Sequence, residues 1–297
     1  RAAGKLMQRA AYASVSVSTL LVLIKGFAYL ATLSVAMLAS LADSGLDLFT
    51  SLLNLFAIRH ALQPADAEHR FGHGKAEPLA GLAQGAFIAG SAIFVIVAAI
   101  NRLLAPQPVT NEVTGLVVTG IAIVATIGLV WFQRLVVGKT GSVAVNADNM
   151  HYVGDLASNI GVIVSLLLTS KLGWLRADPV IGLLIAAILA WSAWRVFRQS
   201  YDQLMDRELH DDERANIKAI VMRHAEVRNL HDLRTRAAGI NTFIQFHIEL
   251  DPAISLMRAH EVSDAVEADV CAAYPHAQVI IHQDPAGVEM PPALATS

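Results

Sequence analysis

The sequence predicts two unlike parts: an all-α bundle of six transmembrane helices over residues 1–205, and a small cytoplasmic α+β domain over residues 206–290. Three observations carry that expectation. Six apolar runs are each long enough to cross about 30 Å of hydrocarbon, which takes roughly 20 helical residues. The composition turns to that of a soluble domain near Asp206, and an αββαβ pattern follows it. The Pro-rich end, 291–297, is expected to be disordered.

The chain is 55% hydrophobic and only 16% charged, with a mean hydropathy of +0.50, too apolar for an ordinary soluble domain of this length. Apolar runs lie near 10–33, 35–60, 78–104, 113–136, 143–170 and 178–198, and prolines mark the breaks at Pro64, Pro78, Pro106, Pro108 and Pro179. The first run is longer than a signal-peptide core, so it is expected to be a retained helix. Six crossings put both termini on one side. Lys and Arg gather there, at Arg1, Lys5, Arg9, Arg59, Arg70, Lys75, Arg134, Lys139, Arg195 and Arg198, against Arg102, Lys171 and Arg176 opposite. The positive-inside rule makes the first face cytoplasmic. After Asp206, helices are expected at 211–225 and 255–274, and strands at 228–236, 241–250 and 278–283.

Two acidic residues, Asp43 and Asp47, sit four apart inside an apolar run, and His151 and Asp155 repeat the spacing in another. A charge at mid-bilayer costs about 2.5–3.5 kcal/mol on insertion scales, so such residues face a polar interior and mark ion or proton routes. Helical rise puts both pairs near mid-bilayer, and residues i and i+4 share one helix face. Two helices thus offer four ligands, which suits a tetrahedral ion such as Zn²⁺. The plainer alternative is that these groups only hydrogen-bond neighbouring helices. It is weaker for two pairs, because like charges at i,i+4 repel unless a cation or proton neutralises them. Lys25, also mid-run, is expected to pack toward a polar interior.

One cysteine, Cys271, excludes an internal disulfide framework and any thiolate-rich zinc site, leaving His, Asp and Glu as ligands. Asp66, His69 and His73 in the loop PADAEHRFGHGK form a second candidate centre, the alternative being ordinary solvated side chains. In the strand NTFIQFHIEL, alternation turns Ile244, Phe246, Ile248 and Leu250 to one face and Phe243, Gln245, His247 and Glu249 to the other. His231, His260, His282 and Asp284 are further candidates, but sequence distance does not establish their convergence, and surface histidines remain the alternative. His60, His210, His224 and His276 have no partner spacing and are expected at surfaces or interfaces. A closed four-ligand shell leaves no position for a substrate water, and neither an H-E-x-x-H helix nor a nucleophile elbow occurs, so carriage is expected rather than catalysis.

The segments LADSGLD, PADAEHRFGHGKAEPLAGLAQ, ADNMHYVGD, HDLRTR, FIQFHIEL and VIIHQDP together resemble the cation diffusion facilitator family, over about Lys5 to Val288. The resemblance implies a transport site at Asp43, Asp47, His151 and Asp155, and a loop site at Asp66, His69 and His73. It also implies a cytoplasmic two-metal site at His231, His247, His260, His282 and Asp284, with Asp284 bridging and the Gln283 backbone nearby. A metallochaperone-like cytoplasmic fold, a homodimer and a hinge charge pair of Lys75 with Asp206 follow from the same likeness. The expected function is secondary active efflux of Zn²⁺ in exchange for protons by alternating access, because metal binding needs neutral imidazole and ionised carboxylates and so competes with protonation. Alternatives are export of Fe²⁺, Cd²⁺ or Mn²⁺, or a membrane sensor that binds metal without carrying it. Expected partners are a second copy, divalent ions, protons and the bilayer, with no nucleic acid.

Overall fold

The computed structural model describes residues 2–32, 35–104, 113–172 and 177–287, and the expected tail at 291–297 lies outside them. The chain divides into two compact units, Arg1–Tyr201 and Asp202–Ser297.

Among the described residues, six long helices build the first unit: α1 (Ala2–Thr32), α2 (Val35–Ala61), α3 (Ala76–Leu104), α4 (Val113–Thr140), α5 (Val143–Leu172) and α6 (Ala177–Leu204). Among the described residues, four are long and apolar enough to cross a membrane by length and composition, over Ala2–Ala31, Ala76–Asn101, Val117–Thr140 and Pro179–Leu204. Helices α2 and α5 are those whose sequences carry the acidic and His pairs. The helices run beyond the apolar runs into polar flanks: α1 starts at Ala2 and α6 continues to Leu204. Pro78 and Pro179 each fall in a first helical turn, where no intrahelical N–H is lost.

Helix α4 stops at Gly141, whose φ of 64° is a left-handed cap that glycine adopts without strain. Helix α5 starts at once after it. The Ser142 hydroxyl accepts from the Val145 amide and the buried Glu77 carboxylate, from α3, accepts from the Ala144 amide, so two side chains satisfy its first turn.

Polarity is turned inside out. Ser14, Ser51, Gln84, Gln133, Asp148 and Asn149 are buried, while Phe27, Phe56, Phe94, Val124, Trp131 and Trp191 are exposed. In water that apolar exterior would be an aggregation surface, whereas in lipid it is the favourable one.

The second unit holds α7 (Asp211–Val221), β1 (Asn229–Ala238), β2 (Asn241–Leu250), α8 (Leu256–Ala273) and β3 (Ala277–Pro285). Helix α7 ends four residues before the expected 225 because its last turn tightens, with Arg223 and His224 amides donating to Ile220 and Val221 carbonyls. Strands β1 and β2 form an antiparallel hairpin across Gly239, at φ 62°, and β3 returns parallel to β2 after α8. One sheet face buries Ile244, Phe246, Ile248 and Leu250 against Ile217 and Ile220 of α7 and Val262, Val266 and Val270 of α8. Burial of that apolar face holds the unit together and leaves the opposite face of the sheet for polar residues.

Candidate metal centres

Within the helical unit, α2 and α5 bring Asp47, His151 and Asp155 together, one ligand atom from each lying within 4.8 Å of the others. His151 Nε2 is 3.1 Å from Asp47 Oδ1 and 3.6 Å from Asp155 Oδ2. Asp155 Oδ2 is buried and makes no hydrogen bond, an orphaned oxygen that a cation would satisfy. Beside the group lies a cavity of about 1170 Å³, whose walls include Lys25, Asp43 and Ser44. Asp43 is exposed and stands outside the three-ligand group, on the wall of the same cavity. The i,i+4 spacing puts it on the same helix face as Asp47, but one turn along. Lys25 Nζ donates to Ser44 Oγ at 2.6 Å, which places the mid-helix lysine at this polar interior.

Around the group is a polar scaffold that the sequence did not flag. The Ser14, Ser51 and Tyr152 hydroxyls link α1, α2 and α5, with 2.9 Å between the serines and 2.8 Å from Ser51 to Tyr152. Asp148, three residues before His151, accepts from Gln84 Nε2 at 3.0 Å and Gln133 Nε2 at 2.6 Å. The sequence does carry a signal for Asp148, a fourth acidic residue within the apolar runs.

The loop centre is compact. Asp66 Oδ1 accepts from the Glu68 and His69 amides at 2.9 and 2.6 Å, an Asx turn, and Gly72, at φ 81°, reverses the chain. His73 Nε2 then lies 3.2 Å from Asp66 Oδ2 and His69 Nδ1 3.5 Å from Asp66 Oδ1, and the three ligands fall within 4.8 Å. The His69 amide, above all, holds the exposed Asp66 carboxyl below its ordinary value. His60, expected at a surface or interface, has its ring 4.7 Å from that of His73.

In the second unit, strand register assembles the third candidate centre. His231 pairs with His247 and His247 with His282, so three imidazoles stand in a row across the polar face of β1, β2 and β3. His247 Nδ1 is 2.8 Å and His231 Nε2 is 3.2 Å from Asp284 Oδ2, while His282 Nε2 is 3.3 Å from Asp284 Oδ1. Asp284 therefore offers one oxygen to two histidines and the other to a third, and His231, His247 and Asp284 form the tight group. His260 lies elsewhere, exposed on α8 with Nδ1 3.5 Å from Asp264 Oδ1. The Gln283 side chain faces α8 and donates to Ser263 Oγ.

Two acidic neighbours were not singled out as ligands. Glu249 Oε1 is 3.4 Å from His231 Nδ1 and Asp232 Oδ2 is 3.8 Å from His247 Nε2. Asp232 sits in a register shift between His231 and Arg234 with φ 47°, a bulge that no spacing argument foresees. In this unit Asp206 accepts from Arg236, and its expected hinge partner Lys75 belongs to the other.

Residues 11–205 match the family described as cation efflux transmembrane domain, and 209–286 match the cytoplasmic domain of cation efflux proteins. The chain is 47% identical over 285 residues to the cation-efflux pump FieF of Klebsiella pneumoniae, covering 96% of this chain and 95% of that one. Identity to FieF of Escherichia coli K12 is 46% over the same length and coverage. Among solved structures, the zinc form of CzrB is 30% identical with a TM-score of 0.27, covering 29% of this chain and 99% of that one. The metal-bound C-terminal domain of the CzcD transporter from Thermotoga maritima is 28% identical with a TM-score of 0.26, covering 28% of this chain and all of that one, 100%. With helical and cytoplasmic parts both matched, the chain belongs to the cation efflux family of membrane transporters, the cation diffusion facilitators its motifs resemble.

Proposed function

We propose that the protein exports Zn²⁺ by proton-coupled antiport, with α1–α6 crossing a bacterial inner membrane six times and both termini cytoplasmic. The observation that carries this reading is the Asp47–His151–Asp155 group, whose ligand atoms lie within 4.8 Å beside a large cavity among the helices. Two carboxylates flank one imidazole nitrogen, so one divalent cation between them neutralises both charges, while a proton on His151 neutralises one and occupies the nitrogen the ion needs. Binding Zn²⁺ requires the imidazole neutral and the carboxylates ionised, and protonation reverses both conditions. An inward proton gradient then drives the ion outward as the helices rock about the site. Asp43, on the cavity wall one turn from Asp47, joins as the fourth ligand when the helices shift.

Zn²⁺ is favoured by three carboxylates and one imidazole in a four-ligand set, while the same donors also accept Cd²⁺, Fe²⁺ and Mn²⁺. The loop and cytoplasmic centres hold resident metal outside the permeation route, where they regulate or stabilise a homodimer. His231, His247, His282 and Asp284 are the residues we assign to that role in each protomer.

Purified protein in sealed vesicles with an imposed proton gradient tests the reading, with Zn²⁺, Cd²⁺, Fe²⁺ and Mn²⁺ in competition. Gradient-dependent Zn²⁺ flux that Asp47→Ala abolishes is expected. Binding without flux of any of these ions would make the protein a sensor and overturn the proposal.

A further inference from the structure

Asp66, His69 and His73 supply three ligands, one short of the tetrahedral shell that structural Zn²⁺ sites close. A third imidazole stands beside them. His60, in the last turn of α2, has its ring centroid 4.7 Å from that of His73, which is itself 4.6 Å from that of His69. The three rings thus form one continuous group, although His60 comes from a helix and the others from the loop after it.

His73 is 8% exposed, and its Nδ1 is buried without a hydrogen-bond partner even though Nε2 faces Asp66. A buried, unpartnered imidazole nitrogen is costly in a cluster that is only structural. Among the described residues the His60 ring makes its contact with His73 and no side-chain hydrogen bond. The C-terminal end of α2 adds the negative end of a helix dipole, which favours a cation.

We propose that His60 completes the loop centre as its fourth metal ligand, an inference that rests on the loop reading above. His60 is not among the three residues whose ligand atoms lie within 4.8 Å, and its ring meets that of His73 at 60°. It is half-buried at a helix end, so turning its own side chain brings a nitrogen to the ion while α2 stays in place. The result is a closed shell of three imidazoles and one carboxylate, suited to Zn²⁺ held for structure and linking α2 to the loop.

The test uses full-length protein in detergent, with Co²⁺ and Zn²⁺ as probes and size-exclusion elution as the check on folding. Four-coordinate Co²⁺ absorbs visible light more strongly than five- or six-coordinate Co²⁺. His69→Ala is expected to lose about one metal equivalent per protomer. His60→Gln should keep that equivalent, bind it roughly ten- to a hundredfold more weakly and lose part of the visible absorption. His60→Cys should regain affinity and add a sulfur-to-cobalt charge-transfer band over the wild-type background of Cys271. If His60→Gln matches wild type in affinity and spectrum, or His60→Cys shows no new band, His60 is not a ligand. If His69→Ala retains wild-type stoichiometry, the loop reading itself fails.

Discussion

Asp47 on α2 and His151 on α5 meet at 3.1 Å, and this contact joins two helices through a bond that a proton or a metal ion can occupy. Replacing Asp47 by Ala removes one of the two carboxylates around His151 Nε2. Proton-driven Zn²⁺ flux in vesicles is expected to fall at least about a hundredfold, the upper end of losses seen for mere outer-shell partners of a metal. The variant should elute as the wild type does. Retained flux would remove Asp47 from the transport route.

Asp155 tests the same site from the other side. Its Oδ2 is buried without a hydrogen bond, so Asp155→Asn, which retains shape and removes charge, should abolish Zn²⁺ binding at this group. Thermal stability should fall little, because no hydrogen bond to that oxygen is lost. Metal titration combined with a thermal melt checks both halves, and intact binding contradicts the assignment.

The polar scaffold makes opposite expectations for two neighbours. Gln133 is held at both ends, donating to Asp148 Oδ2 and accepting from Asn149 Nδ2. Gln133→Ala takes one donor away from the buried Asp148 carboxylate, and a cost of about 1–3 kcal/mol is expected. Tyr152→Phe removes a hydroxyl whose partners Ser14 and Ser51 still bond each other, so about 0.6 kcal/mol, the average for hydrogen bonds between membrane helices, is expected instead. Thermal unfolding in detergent ranks the two. A larger loss in Tyr152→Phe than in Gln133→Ala would reverse this account.

What the sequence disclosed follows from how local each signal is. Asp43, Asp47, His151 and Asp155 were visible because charge inside an apolar run is anomalous wherever the helices pack. The inward and outward faces of β2 were visible because strand alternation is strict. The alignment of His231, His247 and His282 was not, since it depends on a hairpin register, a parallel crossover and a bulge, none of which leaves a local mark. His60 escaped for the same reason: a helix end and a loop are brought together by a turn at Gly72, and no fixed spacing encodes that contact.

The bulge residue Asp232 carries the next prediction. At φ 47° it needs a residue that tolerates the left-handed region, and Asn does so nearly as well as Asp. Asp232→Asn therefore keeps the backbone and removes the charge that lies 3.8 Å from His247 Nε2. Metal affinity at the cytoplasmic centre is expected to drop about ten- to a hundredfold with the fold intact. Asp232→Val should lose stability as well, because a β-branched side chain is strained at positive φ. Unchanged metal affinity in Asp232→Asn would exclude the carboxylate from the centre.

Asp66 sets an acid limit on the loop. Its carboxyl is held below the ordinary 3.8, first by the His69 amide, so the ionised form is the one the turn stabilises. A carboxylate with a depressed folded value contributes its stabilisation fully above the unfolded value and loses it as pH falls through the lower folded one. Protection of the Glu68 and His69 amides from hydrogen exchange, corrected for intrinsic rates, should therefore hold from neutral pH down to about 5 and vanish only in stronger acid. Asp66→Ala should lose that protection at neutral pH. Loss of protection in the wild type already near pH 6 would mean that this carboxylate does not hold the turn.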